Sequence, residues 1–410
     1  MPVKRNLNFP VNQFNYDLPS DRIAAFPLEK RDSSKLLVYK NGSIRDAVYH
    51  QIDQFLPADS LLVFNNARVV QARLFFKTST GAGIEIFCLE PAGKHLEVSQ
   101  AMQQTERTQW KCLVGGAKKW REEKIALEIK LGESLIILTA KLIGKESDAF
   151  IVEFCWTPEG LSFGEILETA GRVPLPPYIK RELEEEDKKR YQTIYAQHAG
   201  SVAAPTAGLH FTPEVFDTLR EKNISLEYLT LHIGAGTFKP VKTDNIREHE
   251  MHSEQILVEK HFILKLINSL EKGVVAVGTT SLRTLESLYW LGLKLHLGVA
   301  DLSKEITIDQ WDPYELDSSL STKQALEALL AHLEEQNQNV LLTRTRLMIV
   351  PGYEWKIVKV LATNFHQPKS TLVMLVAAFV GEDWKKIYAH ALQNDYRFLS
   401  YGDGSLLFRS

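Results

Sequence analysis

The sequence has few of the features that would suggest a disulfide framework, a membrane protein or a strongly basic binding protein. Only three of its 410 residues are cysteines, and they lie far apart in apolar, strand-like segments. This argues against a disulfide scaffold or cysteine metal site and fits a reducing cytoplasm. The net charge of -3 excludes an overall basic character, so any nucleic-acid surface must be a local patch. No apolar window approaches a membrane span, and no apolar segment follows the charged N-terminus. We expect a cytoplasmic, soluble protein.

The strand pattern predicts a mixed α/β chain interrupted by a small β domain. Between residues 72 and 157, five short strand candidates lie between glycine-containing turns, with the clearest apolar–polar alternation at 125–131. This spacing indicates a small antiparallel barrel. Strands and helices alternate on both sides of it, so we predict a discontinuous α/β domain at 1–71 and 158–410. Residues 297–347 are predicted to be an insertion with an amphipathic helix that packs against the core.

A nearly uncharged segment at 201–212 is the first candidate ligand loop. Pro205 and Gly208 control its backbone, while Thr206 and His210 are its main hydrogen-bonding side chains. Thr212 and a following proline predict a helix start directly after it. A loop of this kind often builds a ligand site. The alternative is a tight buried turn with a satisfied histidine.

A second candidate site follows the predicted strand at 274–277. A small hydroxyl-rich turn containing Thr279, Thr280 and Ser281 leads there into a helix predicted from Leu282. Free backbone N–H groups and the helix dipole at such a point favour an anion, either a carboxylate or a phosphate. No lysine follows the turn as in a Walker loop, which argues against a nucleoside triphosphate.

Other polar loops follow the same arrangement of strand, small polar turn and helix or extended segment. Their candidate side chains are His232 with Gly234, Gly236 and Thr237, then Asn364, His366 and Lys369, and finally Asp403 in a turn expected to be exposed. Loops of this type usually meet at one edge of a sheet. The residues therefore predict a polar ligand site. At 249–254 two histidines and two glutamates match no helical zinc motif, so we expect hydrogen bonding to a polar ligand and no metal site.

Several cationic and aromatic residues are candidates for contact with an anionic partner. Arg31 and Arg68 border predicted strands, and a stiff proline-containing segment at 174–181 presents Tyr178 and Arg181. Arg190 precedes the candidate ligand loop at 201–212. Each of these arginines alone is also compatible with an ordinary surface position.

Eight motifs in chain order resemble those of the S-adenosylmethionine:tRNA ribosyltransferase-isomerase family of queuosine biosynthesis. The resemblance extends over most of the chain outside 297–347. The motifs are Arg31-Asp-Ser-Ser-Lys-Leu-Leu37, Pro174-Leu-Pro-Pro-Tyr-Ile179, Arg190-Tyr-Gln-Thr193, Ala204-Pro-Thr-Ala-Gly-Leu-His-Phe211, Leu231-His-Ile-Gly-Ala-Gly-Thr-Phe238, Val277-Gly-Thr-Thr-Ser-Leu-Arg-Thr-Leu-Glu-Ser287, Thr363-Asn-Phe-His-Gln-Pro-Lys-Ser-Thr-Leu372 and Ser400-Tyr-Gly-Asp403.

The resemblance implies a two-domain fold, in which a β-barrel interrupts an α/β catalytic domain. It also implies that S-adenosylmethionine donates its ribosyl group to 7-aminomethyl-7-deazaguanine at the tRNA wobble position. The products would be epoxyqueuosine-tRNA, adenine and methionine, with no separate cofactor. The expected partners are S-adenosylmethionine and tRNA carrying the precursor base, and the chain is expected to be a monomer or weak oligomer.

Within this resemblance, the polar loops are assigned expected roles. Catalytic roles are expected for His210, His232, His366 and Asp403. Arginines would hold tRNA phosphate, and the RNA-binding candidates are Arg31, Arg68, Tyr178, Arg181 and Arg190. The expected substrate-binding residues are Pro205, Thr206, Gly208, Gly234, Gly236, Thr237, Thr279, Thr280, Ser281, Arg283, Asn364 and Lys369.

The chain departs from the family pattern at several positions. Asn66 and Ala67 replace a carboxylate and a hydroxyl, Ala25 replaces glutamine, and Asp403 is followed by Gly-Ser-Leu instead of Ala-Met-Leu. Two alternatives therefore remain at the level of sequence. One is a divergent S-adenosylmethionine-dependent ribosyltransferase that uses another acceptor, and the other is an inactive RNA-binding relative.

Overall fold

A computed structural model describes residues 7, 9–92, 97–146, 149–234, 241, 243–300 and 305–409. In these ranges the strands are β1 (Lys35–Lys40), β2 (Ser43–Val48), β3 (Leu61–Asn65), β4 (Ala67–Val69), β5 (Arg73–Lys77), β6 (Gly83–Pro91), β7 (Arg107–Gly115), β8 (Lys124–Leu131), β9 (Ser134–Glu146), β10 (Ala149–Thr157), β11 (His198–Ser201), β12 (Ser225–His232), β13 (Glu254–Glu259), β14 (Val274–Val277), β15 (Thr307–Ile308), β16 (Val340–Thr345), β17 (Val358–Asn364) and β18 (Gly404–Phe408). The helices are α1 (Val98–Met102), α2 (Phe163–Ala170), α3 (Asp187–Arg190), α4 (Pro213–Glu221), α5 (Lys260–Ser269), α6 (Thr279–His296), α7 (Asp312–Glu315), α8 (Thr322–Glu335), α9 (Thr371–Val380) and α10 (Trp384–Gln393).

A ten-stranded sheet forms the main body, in the order β15-β16-β13-β12-β3-β14-β17-β18-β1-β2. Its centre is a parallel group in which β3 lies between β12 and β14, and β14 pairs with β17. The side chains of β3 and β14 are buried along their whole length. That burial explains their continuous apolar sequence, because helices cover both faces of a parallel sheet. The mixed α/β class predicted from the sequence is confirmed.

The parallel centre brings the polar loops to one edge of the sheet. The strands β3, β12, β14 and β17 end at Asn65, His232, Val277 and Asn364, and their carboxyl ends lie at the same edge. Strand β18 runs antiparallel to β17, with Gly404 opposite Asn364, so its preceding residue also lies at this edge. The topology therefore creates one site from residues separated by hundreds of positions.

The second sheet is an antiparallel, nearly closed barrel in the order β5-β6-β7-β10-β9-β8, with its two end strands in contact. It has six strands where the sequence predicted five, because β5 was missed. Phe75 in the middle of β5 is exposed, which obscures the alternation of Leu74 and Phe76 facing the core. Phe163 of α2 packs on Trp110, with ring centroids 5.4 Å apart. The domain boundaries themselves remain a prediction.

The segment predicted to be an insertion, 297–347, contributes to the main sheet. Strand β16 pairs with β13, and β15 pairs with β16 at the sheet edge. Helix α8 buries Leu326, Leu329 and Leu333 completely, while Leu330 is partly buried, so the predicted packing stripe is confirmed. A capping box between Ser321 and Gln324 begins this helix as the sequence predicted.

Two other local predictions have different outcomes. The N-cap at Thr212 is confirmed, because its hydroxyl accepts from the Val215 N–H and Pro213 occupies the first turn of α4. The turn at 400–404 is not exposed as expected; Ser400, Tyr401 and Asp403 are all at least 95% buried. Tight packing of the sheet edge encloses this polar turn. Among the described residues, no helix combines the length and apolar character needed to cross a membrane.

Candidate active site

A deep cleft opens at the edge where the parallel strands end. It encloses about 1290 Å³ of empty space, including solvent at its open mouth. The cleft lies between the loops that follow β14 and β17, the candidate ligand loop at 201–212 and the segment at 347–349, which precedes β17. Eight of the predicted site residues line it: Tyr178, Pro205, Thr206, Thr279, Thr280, Arg283, Asn364 and His366.

His366 presents a partly exposed imidazole to the cleft. Its backbone is anchored on both sides, because its N–H donates to the hydroxyl of Tyr388 and its carbonyl accepts from the hydroxyl of Tyr16. Its Nε2 lies 3.0 Å from the hydroxyl oxygen of Thr363. Burial lowers the pKa of His366 to about 3, so the ring is neutral near pH 7 and able to accept a proton.

His210 lies behind the cleft wall. Its Nε2 is 3.3 Å from Oδ1 of Asn364, and its ring stacks on Tyr49 at a centroid distance of 4.4 Å. Burial lowers the pKa of His210 to about 4, although the nearby Asp403 and the bond to Asn364 oppose this effect. Asn364 lines the cleft, so it connects the buried histidine with the ligand space.

Asp403 is almost fully buried, and its carboxylate is occupied by protein donors. Oδ1 accepts from the Lys35 N–H at 3.0 Å, and Oδ2 accepts from the Arg397 N–H at 2.7 Å. The Arg397 guanidinium completes the contact at 3.4 Å. This arrangement fixes the 397–403 turn and places a negative charge near His210.

The hydroxyl-rich segment at Thr279 is the first turn of α6, not a turn before it. Helix α6 begins at Thr279, three residues earlier than the predicted Leu282. Thr279 and Thr280 line the cleft, whereas Ser281 is completely buried outside it. The N-terminus of an 18-residue helix therefore faces the cleft, as an anion-binding role requires.

Arg283 reaches the cleft from the second turn of α6 and is held by a buried ion pair with Glu254. Its Nε donates to the Leu347 carbonyl at 3.1 Å. Nη2 of Arg283 and Oε1 of Glu254 are buried and have no hydrogen-bond partner in the part of the chain that the structure describes. A buried guanidinium with a spare donor suits the recognition of a carboxylate.

The chain at 249–252 is a part of the cleft that the sequence assigned only to an undefined polar ligand. His249 and His252 line the cleft, together with Met251. Gln310 anchors this stretch, because its Nε2 donates to the His249 carbonyl at 2.6 Å and its Oε1 accepts from the Met251 N–H at 2.9 Å. Burial and the neighbouring His252 lower the pKa of His249. Gln310 had no recognisable signal in the sequence.

Other predicted catalytic and substrate-binding residues lie outside the cleft lining. Gly208 packs against Tyr195, whose hydroxyl oxygen would be only 1.8 Å from an added Cβ. His232 is buried at the end of β12, where burial and His198 lower its pKa to about 4. Lys369 donates its backbone N–H to Phe14 at 3.0 Å. Gly234 is partly exposed at the end of its described segment, and Gly236 and Thr237 lie outside the described residues.

The five residues predicted to contact RNA occupy different environments. Tyr178 lies in the cleft wall, bonded to the Ser400 hydroxyl at 2.6 Å, and burial raises its pKa to about 12. Arg68 is exposed and paired with Glu168. Arg181 forms two 2.7 Å bonds to Asp187. Arg31 and Arg190 line a separate small pocket next to His210.

Two positions that depart from the family pattern, Asn66 and Ala67, are buried outside this cleft. Asn66 accepts a 2.7 Å bond from the Thr230 hydroxyl, and the N–H of Ala67 donates to Oδ1 of Asn65 at 3.1 Å. Neither residue lines the cleft. In the described ranges, no group of three or more histidine, cysteine or acidic residues has a metal-binding arrangement.

Comparisons with known proteins place this chain in a family. The family model for queuosine biosynthesis protein matches residues 11–407. Relatives from Thermotoga petrophila and Thermotoga maritima, each called S-adenosylmethionine:tRNA ribosyltransferase-isomerase, are 38% identical over 406 residues. Each match covers 97% of this chain and 99% of the relative.

A solved structure of an S-adenosylmethionine tRNA ribosyltransferase from Thermotoga maritima is also similar. It shares 27% identity and covers 97% of this chain and 100% of its own, with a TM-score of 0.45. That score is too low to support an argument about the fold, so family membership is based on the sequence matches. The chain belongs to the queuosine biosynthesis protein family.

Proposed function

We propose that this chain is an S-adenosylmethionine:tRNA ribosyltransferase-isomerase. It transfers and isomerises the ribosyl group of S-adenosylmethionine onto 7-aminomethyl-7-deazaguanine at the tRNA wobble position. The products are epoxyqueuosine-tRNA, adenine and methionine. The observation that carries this proposal is the 38% identity to enzymes of that name over 97% of the chain.

The cleft supports a substrate with both charged and apolar parts. The N-terminus of α6 and Arg283 supply donors for the methionine carboxylate. Met251, Leu347 and other apolar lining residues provide surface for adenine and the methionine chain. The sulfonium of S-adenosylmethionine is positively charged, and His366 does not repel it because the imidazole is neutral near pH 7.

The first chemical step is proton removal from the ribose carbon next to sulfur. The positive sulfonium acidifies this C–H bond, and the electron pair it leaves starts the rearrangement that expels adenine. His366 is the candidate base by position, because it lines the cleft and is neutral near pH 7. Its low pKa makes it a weak base, so the proton transfer relies on the acidity that the sulfonium gives the C–H bond. His210 does not line the cleft and contacts it only through the side chain of Asn364.

The changes at Asn66 and Ala67 do not favour a different acceptor. Both residues are buried, and neither lines the cleft. Their side chains are therefore not among the hydrogen-bond donors and acceptors that line the cleft. Ala25 is also outside the cleft lining; its carbonyl accepts from Arg181 Nε at 2.9 Å.

The decisive experiment follows two products together. Purified protein is incubated with S-adenosylmethionine and tRNA carrying the aminomethyl-deazaguanine base, and adenine release is compared with the mass of the modified nucleoside. Equal accumulation of adenine and epoxyqueuosine supports the proposal. Adenine release with another RNA or free base alone identifies a divergent acceptor, and S-adenosylmethionine binding without turnover on any acceptor identifies an inactive relative.

A further inference from the structure

A second pocket lies directly beside the cleft and contains two arginines. It encloses about 270 Å³ of empty space, including solvent at its open mouth, and is lined by Arg31, Arg190, Ser34, His210 and Ser400, among others. Ser400 also lines the large cleft, and His210 contacts the cleft residue Asn364. The two spaces are therefore neighbours that share one wall.

Neither arginine has an acidic partner among the residues that the structure describes. Arg31 donates to the carbonyls of Gln192 at 2.6 Å and Lys189 at 3.0 Å. Arg190 donates to the carbonyls of Leu28 and Glu29. Carbonyl oxygens orient a guanidinium but leave its positive charge uncompensated.

The two charges also oppose each other. Burial, followed by the positive charge of Arg190, lowers the pKa of Arg31. Nε of Arg190 is buried and has no hydrogen-bond partner in the described segments. Holding two cations around one cavity costs free energy, which an anion bound between them would recover.

The neighbouring Arg181 shows how this chain neutralises an arginine with a structural role. Its guanidinium forms a bidentate pair with Asp187, and the Tyr401 hydroxyl donates to the same carboxylate. Burial of such a pair is common in protein interiors. No carboxylate lines the pocket of Arg31 and Arg190. This difference separates a closed ion pair from an open cationic site.

We propose that the pocket between Arg31 and Arg190 binds one backbone phosphate of the RNA acceptor, next to the nucleotide that enters the cleft. Two guanidiniums in a small cavity match the charge and the several acceptor oxygens of a phosphodiester. Because Ser400 lines both spaces, a phosphate bound in the pocket would adjoin the ligand in the cleft. This inference rests on the proposed function.

The phosphate site also explains why two separate motifs meet. Residues 31–37 and 190–193 are 150 positions apart in sequence, yet the Arg31 guanidinium bonds the Gln192 carbonyl. The contact holds both cationic side chains at one pocket. An anion bound there would also stabilise the protonated form of His210, since this histidine lines the same cavity.

The test measures how tRNA binding depends on salt. Fluorescence anisotropy gives the Kd of labelled precursor tRNA at several KCl concentrations for the wild type, Arg31→Gln, Arg190→Gln and Arg190→Lys. The control is Arg220→Gln, which removes an exposed, paired cation that does not line the pocket. Each lost phosphate contact lowers the slope of log Kd against log salt concentration by roughly 0.7 to 0.9.

The expected result is a reduced slope for Arg31→Gln and Arg190→Gln, with near-wild-type slopes for Arg190→Lys and Arg220→Gln. Unchanged slopes in both glutamine variants would overturn the phosphate site, even if tRNA bound more weakly, since mere loosening of the loop does not remove an ionic contact. S-adenosylmethionine binding, measured in parallel, should be unchanged. A wild type that binds S-adenosylmethionine but no tRNA would overturn the proposed function and this inference together.

Discussion

Asn364 presents its side-chain oxygen to Nε2 of His210. Its Nδ2 donates to the carbonyls of Leu399 at 2.9 Å and Ser400 at 3.3 Å, so its Oδ1 must face Nε2 of His210 at 3.3 Å. This oxygen and the Arg31 backbone carbonyl both favour a protonated ring nitrogen on His210. Because Asn364 also lines the cleft, the protonation state of the buried ring is coupled to a cleft residue.

Replacing this amide by a carboxylate should raise the pKa of His210. In Asn364→Asp a negative charge would stand about 3.3 Å from Nε2 and favour the imidazolium. We expect the pKa to rise from about 4 by at least about one unit, measured by NMR titration of the ring. Asn364→Ala is the matched control and should leave the pKa low. A pKa near 4 in the aspartate variant would contradict the geometry.

Removing the imidazole of His366 should slow the chemical step far more than it weakens substrate binding. His366→Gln keeps a polar side chain but lacks the proton acceptor, so we expect adenine release to fall by about 10² to 10⁴-fold. Isothermal titration should still detect S-adenosylmethionine binding. His390→Gln alters a histidine paired with Asp46 away from the cleft and should retain near-normal turnover. Near-normal turnover in His366→Gln would remove this residue from the mechanism.

The buried neutral histidines should make the protein sensitive to mild acid. The folded-state pKa of His232 is lowered to about 4, below the unfolded value of about 6.5. Between these values the unfolded state binds more protons, so the free energy of unfolding should fall as pH decreases from 6.5 to 4. Above pH 6.5 this histidine contributes no pH dependence.

His232→Gln should flatten that dependence by roughly 1 kcal/mol per pH unit across the window. Urea unfolding at pH 7, 6 and 5 measures the effect. His332→Gln on α8 is the control, since His332 is partly exposed whereas His232 is buried. Identical slopes for the wild type and His232→Gln would show that His232 is not buried in its neutral form.

A methyl group at Gly292 should separate α6 from α8. The new Cβ would lie 1.9 Å from the Ala325 carbonyl oxygen, so the helices would have to move apart. We expect Gly292→Ala to lower the free energy of unfolding by roughly 1 to 3 kcal/mol. Gly83→Ala, where an added Cβ meets nothing within 4 Å, is the control. If both variants unfold at the same urea concentration, the close helix contact is wrong.

Local patterns predicted much of the fold because their physics is local. The strand at 274–277 was predicted with the bounds that the structure has, because a short apolar run between turn residues is typical of a buried strand. The cap at Thr212 forms as predicted, since its hydroxyl satisfies an N–H only three residues away. The start of α6 was misplaced because hydroxyl residues also favour turns.

Long-range contacts decided the roles of the candidate residues. The sequence expected Asp403 to be exposed, whereas two backbone N–H groups and Arg397 enclose it. The sequence analysis also placed Arg31 and Arg181 in the same group of RNA-binding candidates. In the described residues, Asp187 neutralises Arg181 but does not pair with Arg31. The contact between Lys35 and Asp403 joins positions 368 residues apart. The contacts of Asp403 with Arg397 and of Arg181 with Asp187 span only six residues, but they depend on how the chain between the partners folds, which no helix or strand pattern encodes.

By itself, then, the sequence determined the fold class, the family and most of the loops that form the cleft, because apolar periodicity, capping and long motifs are properties of neighbouring residues. Only the tertiary structure decided which histidine faces the cleft and which lies behind Asn364. It alone also showed that Arg31 and Arg190 share one pocket. These are consequences of strand order and burial, which set the distances between charges and the cost of removing them from water.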